Sequence, residues 1–123
     1  MLLQTKCSIR PGICYDFSKE HIITSVDGSL KRLQTDYIDI LFLHRPDVLM
    51  EPEEVADAFF ILKQAGKVKF FSVCNYNSYQ IALLNHHLGD NMIIANQLQL
   101  SITNCSMIDL GVNVNTTKTE ALE

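Results

Sequence analysis

No apolar run in this chain is long enough to span a membrane, and its first residues lack the charge and small-residue pattern of a signal peptide. The expectation is a cytoplasmic protein with no membrane partner. There is no C-x-x-C pair either, since Cys7, Cys14, Cys74 and Cys105 are scattered. That spacing argues against a disulfide framework and against a metal site, and favours free thiols in a reducing compartment. Positive charge is in deficit: 10 Lys and Arg face 14 Asp and Glu, for a net charge of -4. No nucleic-acid or anionic-membrane surface is expected from that balance. A Gly-rich phosphate loop and a carboxylate cluster are also missing, which removes phosphoryl transfer and metal-assisted hydrolysis.

What is present is globular. The 123 residues are 47% hydrophobic and 20% charged, enough for one real core. The most informative stretch runs from Tyr37 to Asp47, where Ile38-Asp39-Ile40-Leu41-Phe42-Leu43 ends in His44-Arg45-Pro46. A nearly continuous apolar run reads as a strand buried on both faces, as in parallel sheets covered by helices. Ionisable residues at the C-terminal end of such a strand sit where α/β folds place their sites.

Elements alternate along the chain. Leu2 to Ile9 reads as a strand, followed by a turn at Arg10-Pro11-Gly12. Ser18 is suited to cap a helix whose stripe is Ile22, Val26, Leu30 and Leu33, ending near Gln34-Thr35. The strand Tyr37 to His44 comes next. Pro52 opens a second helix, with Val55, Ala58, Phe59 and Leu62 inward and Gly66 as its stop. Val68 to Val73 is a third strand. Ser78 caps a third helix through Ile81, Leu84 and Leu88, closed by Gly89. Met92 to Leu98 is a fourth strand. The order βαβαβαβ predicts an α/β fold with a parallel sheet and crossover helices, as one domain over residues 1–123. The segment from about 112 to 123 has no periodicity and is expected to fray.

Polar residues recur at the C-terminal ends of these strands: Lys6 on the first, His44 on the second, Cys74 and Asn75 on the third, Asn96 and Gln97 on the fourth. Each alone is compatible with a structural role. A strand-end histidine often only satisfies a hydrogen bond, and Asn75 can simply start a turn. Alternation places His44 on the face of Ile40 and Phe42, so a curled sheet brings these groups to one rim. Amides at a rim can hold a planar carboxamide, a lysine can acidify a neighbouring group, and a histidine can orient a carbonyl. Carbonyl chemistry with a nicotinamide cofactor fits that set. His86-His87 is not expected to bind metal, because adjacent helix positions do not face each other. Lys67 and Lys69 are expected to face solvent.

These residues also carry a family resemblance. Leu3-Gln4-Thr5-Lys6, the segment from Ser25 to Asp39 containing S-L-x-R-L-x-x-D-Y-x-D, Leu43-His44-Arg45-Pro46-Asp47, Gly66-Lys67-Val68 and Ala95-Asn96-Gln97-Leu98-Gln99 all take part. Together they resemble the aldo-keto reductases, in particular the YdhF-like bacterial oxidoreductases, over about Leu2 to Asn115. The resemblance implies a (β/α)8 TIM barrel with helices on the outer face, of which this chain is about half. It implies NADPH across the C-terminal rim, hydride transfer to a small-molecule carbonyl substrate, and a tyrosine as proton donor. Carried over by position, Lys6 and His44 look like the catalytic lysine and histidine. Cys74, Asn75 and Gln97 look like cofactor-binding residues, with Cys74 where the family usually has serine and Ser72 where it usually has glycine. The family's tyrosine and aspartate lie upstream of the lysine strand, and only five residues precede Lys6. Tyr15 and Tyr37 do not take that position.

Three functions therefore stand side by side. One is NADPH-dependent carbonyl reduction. The second is a non-catalytic half-barrel that self-associates through open sheet edges or pairs with another fragment. The third is a small open-sheet domain for some other ligand, which strand order distinguishes from the first two.

Overall fold

The computed structural model describes residues 1–12, 14–89, 92–99, 101, 103, 112–113 and 116–117. In chain order the elements are β1 (Gln4–Cys7), β2 (Ile9–Arg10), β3 (Cys14–Tyr15), α1 (Lys19–Leu33), β4 (Ile38–Leu43), α2 (Pro52–Gln64), β5 (Val68–Cys74), α3 (Ser78–Leu88), β6 (Ile93–Gln97), β7 (Val112–Asn113) and β8 (Thr116–Thr117). The main sheet has the order β1-β4-β5-β6, parallel throughout.

That order decides the architecture. Crossovers between parallel strands are right-handed, so a sheet that always advances in one direction puts every helix on one face. A doubly wound sheet would reverse direction and put helices on both. The buried residues agree. Ile22, Val26 and Leu30 of α1, Val55, Ala58, Phe59 and Leu62 of α2, and Leu84 of α3 form one core with Leu41, Leu43, Phe71 and Val73. Phe59 stacks on Phe71 with ring centroids 4.0 Å apart. The opposite face, on the register of Ile40 with Phe70 and Phe42 with Ser72, has no helix of its own among the described residues. This is a partial (β/α)8 arrangement, and the open-sheet reading falls with it.

Curvature is visible in one bond. In a flat sheet the edge strands β1 and β6 would lie about 14 Å apart, three strand spacings. Side chains stand roughly perpendicular to a sheet and could not meet across that gap. Yet Lys6 Nζ on β1 donates to Gln97 Oε1 on β6 at 2.5 Å. The sheet therefore curls, with its helix-free face inside.

Several local expectations need correction. The first strand stops at Cys7 instead of Ile9, because Ser8 takes a φ of +84° and sits fully buried. Ile9 belongs to a separate antiparallel hairpin with Tyr15, around the anticipated Pro11-Gly12 turn. Ser18 caps α1 as expected, accepting from the His21 amide. Leu33, assigned to the stripe of α1, is 46% exposed at the helix's last position. The cap of α3 is Asn77, one residue before Ser78, and a reciprocal capping box with Gln80 fixes it. Of the segment expected to fray, β7 and β8 pair antiparallel, and its other residues lie outside the described ones.

Lys69 is not merely solvent-facing. It donates to Asp39 Oδ1 at 2.9 Å, and its ammonium lies 3.9 Å from the centre of the Tyr37 ring. The other Asp39 oxygen accepts from the Leu3 amide at 2.9 Å. This carboxylate, 6% exposed in β4, thus ties the start of β1 to β5. The Leu3 amide first, then Lys69, hold its pKa below the usual carboxylate value.

Two measurements test this account. Phe59→Ala should lower the unfolding free energy by about 3–5 kcal/mol in a urea titration, the usual range for an aromatic removed from a core. Asp39→Asn should lower the thermal midpoint at pH 7. A depressed folded pKa means the stabilisation is complete above the unfolded value, about 3.9, and is lost as pH falls through the folded one. The gap between Asp39→Asn and wild type should therefore close in acid, and a gap that persists there would contradict the clamp.

Candidate functional site

The C-terminal ends of the four sheet strands form the rim where (β/α) folds place their chemistry. Here they meet in an open groove of about 360 Å³ lined by Lys6, His44, Arg45, Cys74, Asn75, Gln97, Leu98 and Gln99. Of the six strand-end residues singled out in the sequence, Lys6, His44, Cys74, Asn75 and Gln97 are in it, and Asn96 is not. Register explains why: Lys6 pairs with Phe42 of β4, and Cys74 pairs with Gln97 of β6. Both pairs fall near the last turn of the sheet.

Gln97 is the hub. Its Oε1 accepts from the Lys6 ammonium at 2.5 Å and from the Cys74 thiol at 3.5 Å. An ammonium only donates, so the amide must present its oxygen to Lys6. That leaves the Gln97 NH₂ as the donor this side chain can offer a ligand. Burial pushes the Cys74 thiol up in pKa, and the nearby Lys6 charge opposes this without reversing it. Cys74 is accordingly a neutral thiol at physiological pH, a donor and not a nucleophile.

Asn75 follows β5 in a left-handed backbone conformation, φ +59°, which asparagine tolerates better than most residues. Its amide donates to the Gln97 carbonyl at 3.1 Å, extending the β5–β6 ladder by one bond. Its side-chain Oδ1 is buried and has no hydrogen-bond partner among the described residues. The Ser72 hydroxyl, on the sheet's inner register, is in the same condition. Such atoms are costly unless something else satisfies them.

His44 stands one residue past β4, and its amide donates to the Cys7 carbonyl at 3.1 Å. Its pKa is lowered, first by burial, then by the Lys6 and Arg45 charges. It is therefore a neutral imidazole at pH 7, able to donate one N–H and accept at the other nitrogen.

Two further residues hold this rim. Tyr76 is fully buried, and its hydroxyl donates to the Arg45 carbonyl at 3.4 Å. Asn96 closes a two-way pair with the Tyr76 backbone: Oδ1 accepts from the amide at 3.3 Å, and Nδ2 donates to the carbonyl at 2.7 Å. The sequence marked Asn96 only as a strand-end amide and gave Tyr76 no role. His87, by contrast, lies beside Glu53 at 3.5 Å, away from the groove.

A curved parallel sheet with its helices on one face and a polar groove at its strand ends defines the class, part of a (β/α) barrel. Residues 1–110 match the Aldo/keto reductase family, and the chain belongs to that family. It is 49% identical over 108 residues to the uncharacterized oxidoreductase YcsN of Bacillus subtilis, covering 80% of this chain and 36% of that protein. It is 46% identical over 87 residues to the oxidoreductase YdhF of Escherichia coli, covering 71% and 29%. With the 6-dehydroglucose reductase of Novosphingobium aromaticivorans the identity is 42% over 92 residues, covering 75% and 30%. The chain thus spans about a third of the length of these relatives.

The electrostatics of the groove are open to direct measurement. By NMR, the His44 imidazole should titrate below about 6.5, the value of an unperturbed histidine. Lys6→Ala should raise that midpoint. A midpoint above the ordinary value, or one indifferent to Lys6, would contradict the arrangement.

Proposed function

We propose that this chain carries the lysine, the histidine and the nicotinamide-holding amides of an NADPH-dependent carbonyl reductase. The observation that carries this reading is the convergence of Lys6, His44, Asn75 and Gln97 on one groove. The groove suits a carboxamide chemically. A nicotinamide carboxamide has an NH₂ to donate and an oxygen to accept. The Asn75 side-chain amide, on a residue that lines the groove, carries an acceptor for the first. The Gln97 NH₂ is a donor for the second, its oxygen being held by Lys6. Bound NADPH would supply the hydride.

The remaining roles belong to this chain's own side chains. Neutral His44 donates a hydrogen bond to the substrate carbonyl oxygen and so polarises it. Lys6 supplies positive charge beside the site, which favours the ionised form of a neighbouring acid. In family terms that acid is the proton-donating tyrosine, placed before the lysine strand. General acid catalysis of that kind contributes about 10²–10⁴-fold.

NADPH fluorescence should saturate on titration with the protein, and Asn75→Leu and Gln97→Leu should each weaken binding. No saturation at millimolar cofactor would remove the cofactor reading. Any NADPH oxidation with an aldehyde panel should disappear in Lys6→Ala and His44→Ala.

A second reading is favoured by sheet sides that no strand pairs among the described residues. Strands β1 and β6 are the edges of the four-stranded sheet, and Phe70 and Ile94 are 49% and 51% exposed. Edges and apolar surface of this kind promote association. Light scattering should show a self-associated species that Phe70→Asp disperses; a stable monomer at all concentrations would exclude it.

A further inference from the structure

Tyr76 does two jobs at once. Its backbone is held by Asn96 on β6, through the Oδ1 and Nδ2 bonds at 3.3 and 2.7 Å. Its ring is fully buried among the helix-side core residues. Its hydroxyl reaches the Arg45 carbonyl at 3.4 Å and the Met50 sulfur at 3.7 Å. The Arg45 carbonyl is one peptide unit past His44, and Tyr76 itself directly follows Asn75. One residue therefore joins the ends of β4, β5 and β6 at the positions that carry the groove's polar groups. A benzene ring in the same place would fill the core equally well. The hydroxyl adds the link to the β4–α2 loop, and burying it is favourable because partners are there.

We propose that Tyr76 is a positioning residue for the groove: its hydroxyl, bonded to the Arg45 carbonyl, sets where His44 stands relative to Asn75 and Lys6. It touches neither substrate nor cofactor and acts through the backbone on either side. Asn75, in its left-handed conformation, is held next to the Asn96–Tyr76 pair, which fixes the backbone that carries its side chain. The proposal deepens the carbonyl-reductase reading, but its first test does not depend on cofactor binding.

That test is Tyr76→Phe, which keeps the buried ring and removes the hydroxyl. The charged and titratable groups that share the groove with His44 are Lys6 from β1, Arg45 beside it and Cys74 from β5. All of them are unchanged in the variant. With the Arg45 carbonyl released, His44 should move out toward solvent and away from Lys6. Its NMR titration midpoint should rise toward the ordinary histidine value while the fold persists by circular dichroism. Met50→Leu removes the sulfur partner and leaves the Arg45 bond, so its His44 titration should match wild type. NADPH affinity in Tyr76→Phe should fall roughly 3- to 10-fold, the scale of one neutral hydrogen bond. A His44 titration in Tyr76→Phe identical to wild type would overturn the proposal, whether or not NADPH binds. Failure of wild type to bind NADPH would instead overturn the reductase reading and leave the His44 comparison standing. If Tyr76→Phe is too unstable to titrate, its role is in the core, and the positioning proposal is wrong.

Discussion

Covering one face of a parallel sheet with helices, while no helix among the described residues covers the other, is the constraint from which the rest of this structure follows. Leu41, Leu43, Phe71 and Val73 need apolar partners, and Val26, Val55, Phe59, Leu62 and Leu84 provide them from three helices on the same side. With all the bulk on one side, the strands curl away from it, and right-handed twist adds to the same sense. Curling gathers the C-terminal strand ends. Residues far apart in sequence, Lys6, His44, Cys74 and Gln97, become neighbours because of a packing requirement on the opposite face of the sheet.

Most of this was legible from the chain. The run Ile38–Leu43 read as a strand because no polar alternation interrupts it except at Asp39. Helices α1 and α2 announced themselves through Ser18, Pro52 and a regular apolar stripe. What failed was local. Ser8 looks like any strand residue, and nothing in the sequence signals the positive φ that ends β1 there. Asn77 and Ser78 are both good caps, yet only Asn77 has a glutamine three residues on, a cue that was present and passed over. Lys69 was read as a surface charge because Asp39 is thirty residues away in sequence.

The site was legible at the level of residue types and strand ends, and less so at the level of support. Lys6, His44, Cys74, Asn75 and Gln97 could be named because their positions on strands are countable. Tyr76 could not, since its importance rests on a tertiary bond to the Arg45 carbonyl that no spacing rule encodes. Buried atoms without a partner among the described residues, Asn75 Oδ1 and Ser72 Oγ, are likewise invisible until the packing is seen.

The bond between Lys6 and Gln97 has a meaning for how the site comes into being. It joins residues 91 positions apart, across the first and last strands of the sheet. Closing so long a loop is entropically unfavourable until β4 and β5 stand between the two ends and hold the curl. Each βα unit can assemble from near neighbours, but this contact cannot. The groove is thus a property of the whole sheet: its lining comes from the ends of all four strands, and no single βα unit contains it.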